Sequence, residues 1–160
     1  MPKTLILFHS RTDATAALAD RIAEGARSVR FSEVTVRRID DASPAGYQTL
    51  GHIEELASYD GIILGGPAID GGVCPEVTAV LDQAKALTTG GSFANTVGSA
   101  FCAEPDGVAE SMLLSLGGLG MILVPQTDSA SGAALGKRVA EVVSWVTHAR
   151  SHAHSHTHAH

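Results

Sequence analysis

Two kinds of apolar pattern alternate along the chain. Mainly apolar runs lie at residues 4–8, 61–64, 97–101 and 121–124, and such runs are typical of parallel strands covered on both faces. A shorter run at 34–36 has polar neighbours, which is typical of an edge strand. Between the runs, apolar residues recur every three or four positions, as on one face of a helix. This alternation predicts an α/β domain with a five-stranded parallel sheet and right-handed crossovers.

Local signals place the helix ends. Thr12 and Asp13 stand at the predicted N-cap of the first helix, Pro75 in the first turn of the second, and a glycine pair at 117–118 ends the third. The predicted inward faces are Ala14, Leu18, Ile22 and Ala26; Val77, Val80, Leu81 and Ala84; Val108, Met112 and Leu116; and Leu135, Val139, Val143 and Val146. The segment 53–56 is expected to form a helical turn.

Length and composition limit the function classes. The 160 residues, 44% hydrophobic and 18% charged, suit one domain at residues 1–148 followed by a flexible histidine-rich tail at 149–160. A net charge of −6 with scattered Lys and Arg argues against nucleic-acid binding. No apolar run approaches the roughly 18 residues of a membrane span, and no secretory leader is evident. Two cysteines without metal-ligand spacing suit a reduced compartment, so we expect a cytoplasmic protein.

The predicted sheet indicates where a ligand binds. Ligands of open parallel sheets bind outside the carboxyl ends of the strands. The candidate loops are therefore residues 10–15, 67–74 and 102–107.

Four segments resemble a known family. They read LILFHS at 5–10, YDGIILGGP at 59–67, VGSAF at 97–101 with LGMILV at 119–124, and LGKRVAE at 135–141. The chain resembles the flavodoxin superfamily and, within it, the WrbA-like NAD(P)H:quinone oxidoreductases. The resemblance implies a flavodoxin-like, doubly wound, three-layer α/β/α fold with strand order 2-1-3-4-5.

The resemblance also implies a flavin site. In such proteins the three loops hold flavin mononucleotide (FMN), which takes hydride from NAD(P)H and reduces a quinone, and the protein is often a dimer or tetramer. No side chain need act as an acid or base. The implied FMN-binding residues are Ser10, Arg11, Thr12, Asp13, Ala14, Thr15, Pro67, Ala68, Ile69, Asp70, Gly71, Cys102, Ala103 and Gly107.

Several positions depart from the family pattern. Asp13 replaces a glycine of the phosphate loop, and as an N-cap its carboxylate would occupy the amides that a phosphate needs. Asp70 stands in place of an aromatic residue, the third loop keeps only Gly107 of its expected Ser, Thr and Gly, and Leu119 replaces a histidine. These departures favour an alternative: a flavodoxin-like domain that has lost FMN and acts as a binding or regulatory module.

Two smaller groups of residues carry open alternatives. Cys74 and Cys102 follow neighbouring strands and form either a redox pair or inert packing. The carboxylates of Asp70, Glu104 and Asp106, with His9, either form an acidic pocket or point to water.

The histidine-rich end has chemistry of its own. His148 is followed by five histidines that alternate from 152 to 160, and such imidazoles bind Zn or Ni. The candidate ligands are His152, His154, His156 and His158, which would make the chain a metal-handling protein. Two other interpretations of the histidine-rich end compete with this one: it is a purification feature, or it is a solvated tail without function.

Overall fold

A five-stranded parallel sheet forms the centre of the protein. The computed structural model describes residues 1–40, 47–88, 91–104, 108–126 and 131–157, with side chains up to 153. Its strands are β1 (Lys3–Phe8), β2 (Glu33–Arg38), β3 (Gly61–Gly65), β6 (Val97–Phe101) and β7 (Ile122–Leu123). Two further short strands, β4 (Ala68–Ile69) and β5 (Gly72–Val73), form a separate antiparallel hairpin.

The strand order is β2-β1-β3-β6-β7. Once the hairpin strands are set aside, this is the predicted order 2-1-3-4-5, and the flavodoxin-like fold is confirmed. All five strands pair in parallel, so their carboxyl ends meet at one edge of the sheet. Edge strand β7 is shorter than the predicted run 121–124.

Helices cover both faces of the sheet. They are α1 (Asp13–Arg27), α2 (Pro75–Lys85), α3 (Val108–Gly118) and α4 (Gly132–Thr157), with short 3-10 helices at Ile53–Ser58 and Ala86–Thr88. Two apolar clusters form the core. One joins the sheet to α1 and α4, and the other joins it to α2 and α3. Burial of apolar surface on both faces explains why the central strands are almost wholly apolar.

The predicted inward faces are nearly all buried. Ala14 is the exception, because it is exposed, and Leu81 and Val146 are half-buried. The glycine pair at 117–118 forms the last two residues of α3 rather than following it. The chain reverses at Gly120, whose φ of 96° belongs to the left-handed region that glycine adopts without strain.

Helices α1 and α4 pack with their backbones almost in contact. A Cβ atom added at Gly136 would lie 1.9 Å from the Ile22 carbonyl oxygen, and one added at Gly25 would lie 1.8 Å from the Ala133 carbonyl oxygen. Only glycine allows this approach at either position.

Helix α4 continues past the predicted boundary between domain and tail. It runs without a break to Thr157, so residues 149–157 extend a helix of the domain, and the division at 148 stays a prediction. Within the described part of the chain, no helix combines the length and apolar character needed to cross a membrane.

Candidate functional site

The first candidate loop joins β1 to the N-terminus of α1. Ser10 is buried, and its hydroxyl donates a hydrogen bond to the carbonyl oxygen of Thr12. Thr15 is fully buried, and its Oγ1 has no hydrogen-bond partner among the described residues. A buried hydroxyl without a partner costs about 1–3 kcal/mol, so this atom is a candidate ligand contact.

The expectation that Asp13 caps α1 is wrong. The N-cap is Thr12, whose side chain makes no capping hydrogen bond. Asp13 is instead the first helical residue, and its side chain is exposed, like that of Ala14. The first amides of a helix have no partner within the helix. Here the Thr12 side chain does not cap them, and the exposed carboxylate of Asp13 lies in the same turn.

The second loop is a β-hairpin, where the sequence suggested only a loop. Ala68 pairs with Val73, and Asp70 and Gly71 form the turn with φ of 52° and 77°. Two consecutive positive φ values are those of a type I′ turn, for which Asp-Gly is a preferred pair. Pro67 is buried, whereas the turn residues are exposed. Asp70 therefore serves the geometry of the turn.

Glu104 connects the second and third loops. Its Oε2 accepts hydrogen bonds from the Cys102 thiol at 3.1 Å and from the Ala68 backbone N–H at 3.4 Å. Burial raises the pKa of Cys102 to about 11, and the hydrogen bond to Glu104 contributes to the same rise. Ala103 is exposed, and Gly107 lies outside the described residues. Cys102 is a protonated thiol at neutral pH.

Cys74 has a similar character. It is a free, buried thiol at the start of α2, and burial raises its pKa above the ordinary value. Both cysteines belong to one apolar cluster. Neither is a thiolate nucleophile at neutral pH.

Among the described residues, His9 does not pair with the carboxylates of the acidic-pocket alternative. Glu104 instead contacts Cys102, Asp70 lies in the exposed hairpin turn, and Asp106 is outside the described residues. The partners of His9 are Asp40 and Glu76.

This His9 cluster was missed from the sequence. His9 is 2% exposed, its Nδ1 lies 3.3 Å from Asp40 Oδ1, and its Nε2 lies 3.7 Å from Glu76 Oε2. Arg11 Nη2 lies 3.2 Å from the other oxygen of Glu76, so Arg11 is already paired. A backbone hydrogen bond lowers the pKa of Glu76 most, burial opposes this, and the interactions with His9 and Arg11 lower the pKa further. All four residues lie near the carboxyl ends of β1–β3. This shared position was the one feature of the sequence that could have predicted the cluster.

The histidine-rich end forms a pair on α4. His148 and His152, one helical turn apart, place their Nε2 atoms 3.1 Å from each other. His154 and His156 lie in the same helix, but their side chains and all of His158 fall outside the described part. The pair adds His148 to the expected ligand His152, and the expectation for His154, His156 and His158 stays a prediction.

The strand order, the three loops at the carboxyl ends and the two helical layers define a flavodoxin-like protein. No protein-family model matches the chain. In sequence it is 34% identical over 129 residues to an NAD(P)H dehydrogenase (quinone) of Cupriavidus metallidurans, a match that covers 72% of this chain. The chain spans only 64% of that relative's length.

Solved structures agree with the fold. A WrbA-like flavodoxin protein from Agrobacterium tumefaciens superposes with a TM-score of 0.69 at 22% identity, over 91% of this chain and 99% of that one. An archaeal flavodoxin gives 0.67 at 19% identity, over 89% and 99%. These structures confirm the flavodoxin-like fold, and together with the sequence relative they support the resemblance to the flavodoxin superfamily and its WrbA-like proteins.

Proposed function

We propose that the chain is an FMN-dependent oxidoreductase that uses NAD(P)H to reduce quinones. The Cupriavidus relative, named NAD(P)H dehydrogenase (quinone), and the flavodoxin structures support a flavin cofactor. The observation that carries the proposal is at α1, where the N-cap Thr12 makes no side-chain capping bond and the Thr15 hydroxyl has no partner among the described residues. The proposal includes a cytoplasmic location and a homo-oligomer.

The first loop fits a phosphate group. Backbone amides at a helix N-terminus attract anions, and the Thr15 hydroxyl would donate to the same group. Ser10 holds the loop through its bond to Thr12. Arg11 forms an ion pair with Glu76, so it attracts a phosphate less strongly than its position in the sequence suggests.

The other two loops would hold the ring. The hairpin residues Ala68–Gly71 and the start of the third loop at Cys102 lie after the central strands β3 and β6. FMN, when bound, supplies hydride-transfer chemistry. The chain's own residues bind and orient it, and the protonated thiol of Cys102 adds no nucleophile at neutral pH.

The test uses the purified full chain. We expect FMN fluorescence to be quenched on titration, and NAD(P)H oxidation to depend on both FMN and a quinone. Thr15→Val should weaken FMN binding about fivefold to tenfold, the worth of one hydrogen bond of about 1–1.5 kcal/mol. The matched control is Thr147→Val on α4. Absence of FMN binding would refute the proposal.

The alternative is a domain that has lost FMN and binds another partner. Glu104 favours it, because its carboxylate already accepts the Ala68 N–H in the region expected for the ring. A colourless protein that fails to take up FMN, even with Glu104→Gln, would support this alternative.

A second candidate function is metal binding by the C-terminal histidines, favoured by the His148–His152 pair. Two ligands of one tetrahedral Zn ion with bonds of about 2.0–2.1 Å lie about 3.3 Å apart, close to the observed 3.1 Å. We expect His152→Asn to weaken Zn or Ni binding more than His52→Asn, an exposed histidine elsewhere. Equal binding by both variants would refute a role for the pair.

A further inference from the structure

The His9 cluster has an unsatisfied atom at its centre. His9 Nε2 is buried and has no hydrogen-bond partner among the described residues, although the Glu76 carboxylate faces it at 3.7 Å. When Nδ1–H donates to Asp40, Nε2 carries a lone pair directed towards a carboxylate oxygen. That arrangement is unfavourable unless a positive charge, either a proton on Nε2 or a bound cation, lies between the two atoms.

The spacing fits one ion. One ligand atom from each of His9, Asp40 and Glu76 lies within 4.8 Å of the others. Two ligands at about 2.1 Å from one ion are separated by about 3.0–4.2 Å, depending on the angle between them. The distance of 3.7 Å between Nε2 and Oε2 falls within this range, so the two atoms are placed to share an ion with little movement.

We propose that His9, Glu76 and Asp40 form a binding site for a divalent cation. His9 Nε2 and Glu76 Oε2 are ligands, and Asp40 fixes the imidazole through Nδ1 and supplies the second negative charge. A carboxylate that accepts the other ring N–H is the usual support of a metal-binding histidine. Arg11 Nη2 lies 3.2 Å from Glu76 Oε1 and 3.5 Å from Oε2, so its positive charge competes with the ion for this carboxylate.

The surroundings leave room for water ligands. A cavity of about 300 Å³ opens beside the cluster, between the end of β2 and α2, and is lined by Asp40, Glu76 and His52 among others. One nitrogen and one carboxylate as ligands, with the second negative charge of Asp40 nearby and water completing the coordination, suit a hard or intermediate ion such as Mn²⁺. The positive charge of Arg11 lowers affinity, so we expect dissociation constants of about 10–100 µM, within the range of weak cation sites.

The test is a titration of flavin-free full-length chain with Mn²⁺, followed by electron paramagnetic resonance of the free ion. Mn²⁺ is chosen because it has the lowest affinity in the divalent series for imidazole-rich sites. We expect one site, weakened at least tenfold by Glu76→Gln and about tenfold by Asp40→Asn. Asp82→Asn, an exposed carboxylate on α2, is the matched control and should change nothing.

Two further variants distinguish the proposed cation site from an ion-pair network and from the C-terminal histidines. Arg11→Gln should bind Mn²⁺ as tightly as the parent chain or more tightly, whereas a plain ion-pair network predicts no binding in either. His148→Asn with His152→Asn should leave Mn²⁺ binding unchanged.

Lack of binding by the parent chain would overturn the proposal, and so would equal binding by the Glu76→Gln chain with an unaltered circular dichroism spectrum. Because no flavin is present, the result is independent of the FMN titration.

Discussion

Replacing Asp13 by asparagine removes one negative charge from the first turn of α1 while keeping the size of the side chain. Asp13 is exposed and caps no amide, since the N-cap is Thr12. The amides are therefore as accessible in the variant as in the parent chain. The change tests the charge of this residue alone, and we expect FMN to bind the variant more tightly.

The magnitude follows from Coulomb's law. A carboxylate about 6 Å from a phosphate of charge about −1.5 to −2 is repelled by about 1–1.4 kcal/mol in water. This predicts about fivefold to tenfold tighter binding at low salt. At physiological ionic strength the Debye length of about 8 Å reduces the gain to about twofold to threefold.

The assay is quenching of FMN fluorescence at two ionic strengths. Asp20→Asn, an exposed aspartate further along the same helix, is the control for net charge and should leave the affinity nearly unchanged. Riboflavin, which lacks the phosphate, should bind the Asp13→Asn and parent chains equally. If the parent and Asp13→Asn chains bind FMN with equal affinity at low salt, the reasoning is refuted. It is also refuted if Asp13→Asn tightens riboflavin binding as much as FMN binding.

Three other predictions address packing and chemistry around the site. Gly136→Ala should destabilise the fold by about 1–3 kcal/mol or more in urea unfolding, because the new methyl group overlaps the α1 backbone, whereas Gly118→Ala, with open space around it, should be neutral or stabilising. Glu104→Gln should lower the pKa of Cys102 and so speed its alkylation at pH 8, read by peptide mass spectrometry; an unchanged rate would contradict the assigned hydrogen bond. Asp70→Val should destabilise the fold by about 1 kcal/mol or more, because a β-branched residue does not tolerate φ of 52°, while Asp70→Asn should be tolerated. Equal unfolding midpoints of the Asp70→Val and Asp70→Asn chains would exclude the strained turn.

The sheet and its helices could be predicted because burial on two faces leaves a strong pattern in the chain. Runs such as 61–64 match β3 closely, and Val108, Met112 and Leu116 share the buried face of α3. The ends of elements were less predictable. Helix α4 extends to Thr157 because nothing in the Ser-His-Ala alternation breaks a helix, although polar repeats suggested a separate tail.

The chemistry of the site was harder to predict because it depends on contacts between distant segments. His9, Asp40 and Glu76 lie far apart in sequence and meet only because three strand ends adjoin. The Asp70-Gly71 pair carried a turn signal, but arms of two residues each are too short to show an alternating pattern. The spacing of four between His148 and His152 was visible and would have identified the pair on a helix.

The hairpin has a consequence for how any molecule docks against the sheet edge. Its two arms are tied by ladder pairing, and its turn already holds the two left-handed conformations that it needs. An incoming molecule therefore meets a surface whose shape is set in advance, and little configurational freedom is lost at that moment. Selectivity at this edge then depends on how well the shape of the bound molecule complements a fixed surface. Small changes in that shape should change its affinity strongly.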